Sequence, residues 1–410
     1  MKARLVFALL LASIAAMTMG AGSAQASKGM EVALQDDNIF LGNRPAFSPQ
    51  LALNRAREIG VTRIRVNVTW TQVVGDTNAT KKKAPKGLEY NWTQIDRLID
   101  LAALRGIRIH LCLTGPAPAY ATAKKRKGVY KPSAAKFGAF ARAAATHFKG
   151  RVDRYSIWNE PNLDQWLTPS KSAPQLYRKL FESSFKAIKK ADKKAKVLMG
   201  ETAPYEQKRR NGRLRTWAPV AFLRAVACVD NRFKRSRKKC KLLKADGYAH
   251  HPYDYRVAPN RVSKVARGRD NATMGQIGNL TRALSKLAKA RALRTPKGKP
   301  VDVFLTEFGY FRKNAKTKKN YLGSEKKRGS YLVKAFSLAQ KNRRIKQQLQ
   351  YLLVEVSEGD FGDFFDMSLL DSDNKETLPF TKLRSWAATA AAKGQIKAPG
   401  RRIFLPPKKP

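Results

Sequence analysis

Eight short apolar runs recur through residues 31–356, and amphipathic segments fill the intervals between them. The runs are EVALQ from Glu31, RIRVNV from Arg63, IRIHLCL from Ile107, DRYSIW from Asp153, KVLMG from Lys196, ADGYAH from Ala245, VDVFLTE from Val301 and LQYLLVEV from Leu349. Runs this short and this apolar read as strands covered on both faces. The helical segments carry their own punctuation. SPQLALNRAREIG opens with Ser48 as a cap and Pro49 in the first turn, and closes at Gly60. TQIDRLIDLAALRG stops at Gly106, and KPSAAKFGAFARAAATHFKG starts near Pro132 and stops at Gly150. Further helical patterns cover about 173–191, 217–229, 271–292, 325–341 and 379–392.

Strands alternating with helices imply an α/β protein with a mainly parallel sheet. Eight rounds in one chain favour closure into a single (β/α)8 TIM barrel with long βα loops. An open doubly wound sheet is the alternative, and no glycine-rich dinucleotide fingerprint follows the first strand to support it. The longest irregular stretches, 71–90, 114–131, 201–216, 251–270 and 308–324, all follow strands. In a barrel they gather on the C-terminal face, where active sites are built.

The first residues concern address. Lys2 and Arg4 precede an apolar run from Leu5 to Met17, and Ala24 to Ala26 reads AQA. This is the pattern of a secretory signal peptide cleaved after Ala26, leaving 27–410 as one domain of an extracellular protein. No later stretch is apolar enough for a transmembrane segment. Cys228 and Cys240 bracket a basic loop and are a disulfide candidate in oxidising surroundings, whereas Cys112, inside IHLCL, reads as a buried free thiol. With 82 Lys and Arg against 30 Asp and Glu, the net charge is +52. Such a surface attracts anionic cell-wall polymers electrostatically, although a general basic habit of the source proteome is the favoured explanation of the composition over a specific polyanion partner. Basic clusters without interleaved aromatics give no specific nucleic-acid module, and no metal or cofactor motif is present.

Two acidic residues stand at the ends of apolar runs, where burial penalises their charge. Glu160 follows the fourth strand in WNEPN, and Glu307 ends the seventh in VDVFLTEFGY. Both would project into one mouth. Two carboxyls about 5 Å apart can hydrolyse a glycosidic bond with retention, one as acid/base and the other as nucleophile. Each could otherwise be a capped or ion-paired carboxylate.

WNEPN together with LTEFGY resembles the large clan of retaining glycoside hydrolases built on the (β/α)8 barrel. The resemblance implies Glu160 as acid/base, Glu307 as nucleophile and Asn159 as a donor to the sugar 2-hydroxyl. It implies that Arg65, in IRVNVTW, keeps Glu307 ionised, and that His251 and Tyr253, in HHPY, border the sugar. It also implies an aromatic platform at the end of strand eight. VEVSEGD instead offers Glu355, Ser357 and Glu358 there, and Thr114 stands where some cellulase-like members carry His. Trp166, Trp70, Tyr120 and Tyr310 are the alternative sugar-stacking aromatics. The expected activity is that of a secreted, monomeric β-glycosidase acting on a poly- or oligosaccharide without cofactor. A catalytically silent carbohydrate-binding barrel at the cell surface, or a transglycosylase, are the alternatives.

Overall fold

The computed structural model describes residues 29–42, 47–235, 240–312, 321–356 and 365–408. The signal-peptide reading of 1–26, and Ser357 and Glu358, lie outside the described residues. Eight parallel strands close into a barrel: β1 (Glu31–Gln35), β2 (Arg63–Thr69), β3 (Arg108–Thr114), β4 (Arg154–Ile157), β5 (Lys196–Thr202), β6 (Gly247–His250), β7 (Val303–Leu305) and β8 (Ile345–Tyr351). Each strand pairs with its sequence neighbours, and β8 closes on β1 with Glu31 opposite Gln347 and Gln35 opposite Tyr351. Eight helices alternate with them: α1 (Pro49–Glu58), α2 (Thr93–Ala103), α3 (Ala134–His147), α4 (Ala173–Ala191), α5 (Pro219–Val226), α6 (Ile277–Lys289), α7 (Glu325–Lys341) and α8 (Leu378–Ala392). The open-sheet alternative is thereby excluded.

Local signals explain the boundaries. Ser48 caps α1 by accepting from the Leu51 amide at 3.2 Å, with Pro49 in the first turn. Ser133 caps α3 in the same way. Beyond α2, Gly106 takes φ +69°, and a Cβ there would lie 2.4 Å from the Gly400 carbonyl, so glycine alone fits the turn.

Strand eight departs from expectation. It begins at Ile345 rather than Leu349 and ends at Tyr351 rather than in VEV. The offset has a cause in composition, because IKQQLQY holds three buried glutamines that mask it as a strand. Gln347 accepts from Arg154 at 2.8 Å and donates to the Leu305 carbonyl at 3.2 Å, and Gln350 donates to the Met367 carbonyl at 2.8 Å, so these glutamines find partners inside the barrel.

The barrel floor is ionic. Glu31, the first residue of β1, receives a two-pronged contact from Arg63 (3.1 Å on each oxygen) and a third bond from Arg154 at 2.7 Å. Apolar packing surrounds this axis. Trp158 is fully buried and meets Phe137 of α3 edge-on at 5.2 Å, while Trp70 stacks on Phe140 at 5.4 Å. Truncating a buried Trp of this kind to Ala costs about 3–5 kcal/mol. Cys228 and Cys240 form a disulfide (S–S 2.08 Å), and Cys112 is a buried free thiol that burial pushes up to about 12. Among the described residues no helix is long and apolar enough to cross a membrane.

Candidate active site

The C-terminal mouth of the barrel is assembled by irregular backbone just past the strands. After β4 the Trp158 amide extends the ladder to the Leu113 carbonyl (2.8 Å), and then Trp158 and Glu160 adopt φ +65° and +38°. Positive φ is costly for such residues and concentrates at functional sites. Two anchors hold it. The Trp158 indole donates to the Trp166 carbonyl at 2.7 Å, and Asn162 bonds both the amide and the carbonyl of Ala203 beyond β5. The backbone N–H of Asn159 donates to Thr114 Oγ1 at 3.0 Å, so the residue standing in the His position of strand three supports the motif beside it.

Glu307 follows β7, and Thr306 before it bonds the His250 carbonyl. The Glu307 carboxylate accepts from Arg65 Nη1 at 3.0 Å and from the Tyr253 hydroxyl at 3.1 Å. Arg65 Nη2 donates to Asn159 Oδ1 at 2.8 Å, which leaves the Asn159 amide nitrogen as its donor end. His251 joins the two acids: its Nδ1 is 3.1 Å from Glu160 Oε1 and 3.5 Å from Glu307 Oε2. One donor atom from each of Glu160, His251 and Glu307 lies within 4.8 Å of the others. Two carboxyls at this spacing can flank a single anomeric carbon.

Charge follows from these contacts. Burial lowers the proton affinity of His251, but Glu307, Glu160 and Glu201 outweigh it and raise its pKa to about 9. Burial raises Glu307, and Glu160 and Glu201 add to it, against the downward pull of His251 and Arg65; the net direction is up. Arg65 therefore acts on Glu307 together with His251 and against a low-dielectric setting. The donor set of Glu160, His251 and Glu307 could geometrically face a metal ion. A cationic imidazolium and a guanidinium already neutralise its carboxylates, which suits an ion-paired site and not a metal centre.

Of the residues singled out from sequence, Glu160, Glu307, Asn159, Arg65, His251 and Tyr253 converge here. Trp166 is half-buried, packed against the core, and its carbonyl serves Trp158. Trp70, Tyr120 and Tyr310 are at most 3% exposed and are core residues, not sugar-stacking candidates.

A different set of rings reaches the mouth. Tyr351 ends β8, where the platform was sought in VEVSEGD, and its phenol is raised by burial and by Glu307. From Tyr253 a chain of rings runs outward: Phe365 at 5.5 Å, then Phe311 at 5.2 Å, then Tyr321 at 5.2 Å, which is 43% exposed. Sequence reading also passed over Glu201. It lies just beyond Gly200, where the KVLMG run was closed, yet it shows the signal that marked Glu160 and Glu307, an acid ending an apolar strand.

Residues 26–342 match the family model described as Cellulase (glycosyl hydrolase family 5). Solved structures with a similar fold include a family 39 glycoside hydrolase from the gut symbiont Bacteroides cellulosilyticus WH2 (TM-score 0.62, 17% identity), covering 88% of this chain and 64% of that one. This chain thus spans less than two thirds of that relative's length. Xylanase 10B from Thermotoga maritima superposes with TM-score 0.54 at 14% identity, covering 89% of this chain and 97% of the xylanase. Endoglucanase Cel5A from the same organism does so with TM-score 0.50 at 13% identity, covering 87% and 96%. No curated protein sequence matches. At these identities the structural likeness is one of fold.

Proposed function

Because the chain belongs to the cellulase family, glycosyl hydrolase family 5, and is a glycoside hydrolase of the (β/α)8 clan GH-A, we propose that it cleaves a β-linked poly- or oligosaccharide with retention of configuration. The observation that carries this reading is the 4.8 Å grouping of Glu160, His251 and Glu307 donor atoms at the mouth of the barrel.

Glu307 is the nucleophile. Its carboxylate is oriented by Arg65 and Tyr253, which leaves Glu160, bonded to His251 and more exposed, to handle the proton. In the first step a Glu307 oxygen attacks the anomeric carbon, the glycosidic bond breaks, and Glu160 gives its proton to the leaving oxygen. In the second, water adds to the same carbon, Glu160 takes its proton, and the ester bond to Glu307 breaks. Asn159 Nδ2 donates to the 2-hydroxyl as positive charge develops on the ring. Tyr351 supplies the stacking face, and the rings from Tyr253 to Tyr321 extend it toward solvent, which favours a chain of several sugars over a single one. Export, and loose association of the basic surface with anionic wall polymers, belong to the same reading.

The test is hydrolysis of an aryl β-glycoside panel by the wild type and Glu307→Gln, with proton NMR of the first-released sugar. The β-anomer appearing first, and a loss of activity in Glu307→Gln, are expected. The α-anomer appearing first overturns retention. Equal activity in both proteins, or none in either, overturns the assigned roles in favour of a binding barrel.

A further inference from the structure

Beside His251 and Arg65 lies a further buried acid, Glu201, to which the proposed reaction gives no role. Glu201 is fully enclosed, and hydrogen-bond donors face its carboxylate. His251 Nε2 lies at 2.8 Å, Thr306 Oγ1 at 2.5 Å and Arg65 Nη2 at 3.2 Å, with His110 Nε2 further off at 3.9 Å. Its backbone is equally specific. Gly200 pairs with Ala249 and Thr202 with His250, so Glu201 is the extra residue of a bulge between β5 and β6, at φ +52°. Such bulges re-aim side chains beside active sites. Gly200 makes the bulge possible, since a Cβ there would sit 2.3 Å from the Ala249 carbonyl. The next ladder bond, from the His251 amide to the Thr202 carbonyl at 3.0 Å, seats His251 directly against the bulge.

We propose that Glu201 is a positioning residue of this hydrolytic site: by holding the Nε2–H of His251, it keeps the Nδ1–H aimed between Glu160 and Glu307 through both steps. The proposal rests on the reading of Glu160 and Glu307 given above. Both His251 nitrogens face carboxylate oxygens, and an ionised carboxylate only accepts. Burial alone would raise Glu201, but Arg65 and His251 hold it well below the usual carboxylate range, so Nε2 stays protonated. The consequence concerns the migrating charge. Before attack the negative charge resides on Glu307; in the glycosyl ester it resides on Glu160, which has given up its proton. A fixed cation 3.1 Å from one acid and 3.5 Å from the other serves both states without moving.

The groups facing His251 are Glu160 and Glu307 on one nitrogen and Glu201 on the other, with Tyr253 edge-on and Arg65 behind the two buried acids. His250 and His110 are pushed below the ordinary imidazole range by burial, so His251 is the cationic one of the three.

The chain has only four histidines, which makes a nitrogen-15 imidazole titration tractable. The experiment pairs it with the pH profile of kcat/KM on an aryl glycoside, for the wild type, Glu201→Gln and Glu201→Asp. In the wild type His251 is expected to carry both protons at neutral pH and to titrate near 9. In Glu201→Gln that titration and the alkaline limb of kcat/KM fall together by at least about one pH unit, and Glu201→Asp restores part of the shift. A wild-type His251 that is neutral at pH 7 overturns the proposal, even if Glu201→Gln cannot be folded. So does a Glu201→Gln enzyme slowed equally at every pH with its His251 titration unmoved. A wild type that hydrolyses no glycoside defeats the proposed function instead, while the titration still decides the role of Glu201.

Discussion

Arg65 holds Glu307 across the barrel mouth, guanidinium to carboxylate at 3.0 Å, with the arginine side chain wholly buried and the glutamate one tenth exposed. The same guanidinium reaches Glu201 and Asn159, so it ties strands β2, β4, β5 and β7 together at their C-terminal ends. Substituting Arg65→Met leaves two buried carboxylates, Glu201 and Glu307, with His251 as their remaining cation. Stability is expected to fall by about 3–5 kcal/mol, read from urea denaturation. In the folded fraction, kcat/KM is expected to drop with KM little changed, because Arg65 orients a reacting acid and does not reach past it.

Glu160 and Glu307 are expected to fail in different ways. Glu160→Ala removes a proton donor, so its cost depends on the leaving group: about 10²–10⁴-fold for a poor one and far less for a dinitrophenolate, which departs without a proton. Glu307→Gln is expected to abolish turnover of both. Comparing kcat/KM on nitrophenyl and alkyl glycosides checks this, and equal losses for both leaving groups in Glu160→Ala would count against its role.

The ring chain ending at Tyr321 predicts a dependence on substrate length. Tyr321→Ala is expected to raise KM for oligosaccharides by roughly ten-fold, equivalent to about 1–2 kcal/mol of stacking, and to leave a simple aryl glycoside unaffected. Kinetics on a graded oligosaccharide series measures it.

Asp36, at the C-terminal end of β1, gives stability a pH dependence. Burial raises its pKa from 3.8 to about 7, only partly opposed by the amides of Val354, Leu353 and Ile39. The folded state therefore binds this proton more tightly than the unfolded chain. Its contribution is complete below about pH 4 and is lost as pH climbs through 7. Stability is expected to decline across that window by on the order of 1–4 kcal/mol. Asp36→Asn, which cannot ionise, should flatten the decline. Denaturation midpoints between pH 4.5 and 8.5 compare the two.

Much of this architecture was legible because the chain punctuates itself. Ser48, Ser133 and Gly106 mark helix limits by mechanisms that need no tertiary information. Glu160, Glu307, Arg65, His251 and Tyr253 stand out because a polar group on or just past an apolar strand is conspicuous in one dimension. What escaped notice depends on three dimensions. Strand eight was shifted because its glutamines find partners only inside a closed barrel. Trp70, Tyr120 and Tyr310 look like rim aromatics until the fold packs α3 against the first two and Tyr331 of α7 beside the third. Glu201 was missed for a narrower reason: Gly200 reads as the end of a strand, whereas it is the hinge of a bulge that continues one residue further.

That bulge bears on how such an enzyme could be re-engineered. Exchanging the surface loops to accept a different glycan would leave the electrical environment of the reaction untouched, since it is written into the wall of the barrel below them. Conversely, Gly200→Ala, a methyl group added at a position that meets no substrate, should disable the chemistry as surely as replacing a reacting acid. Redesign of this scaffold therefore has a natural boundary at the rim, with the residues of β5 below it.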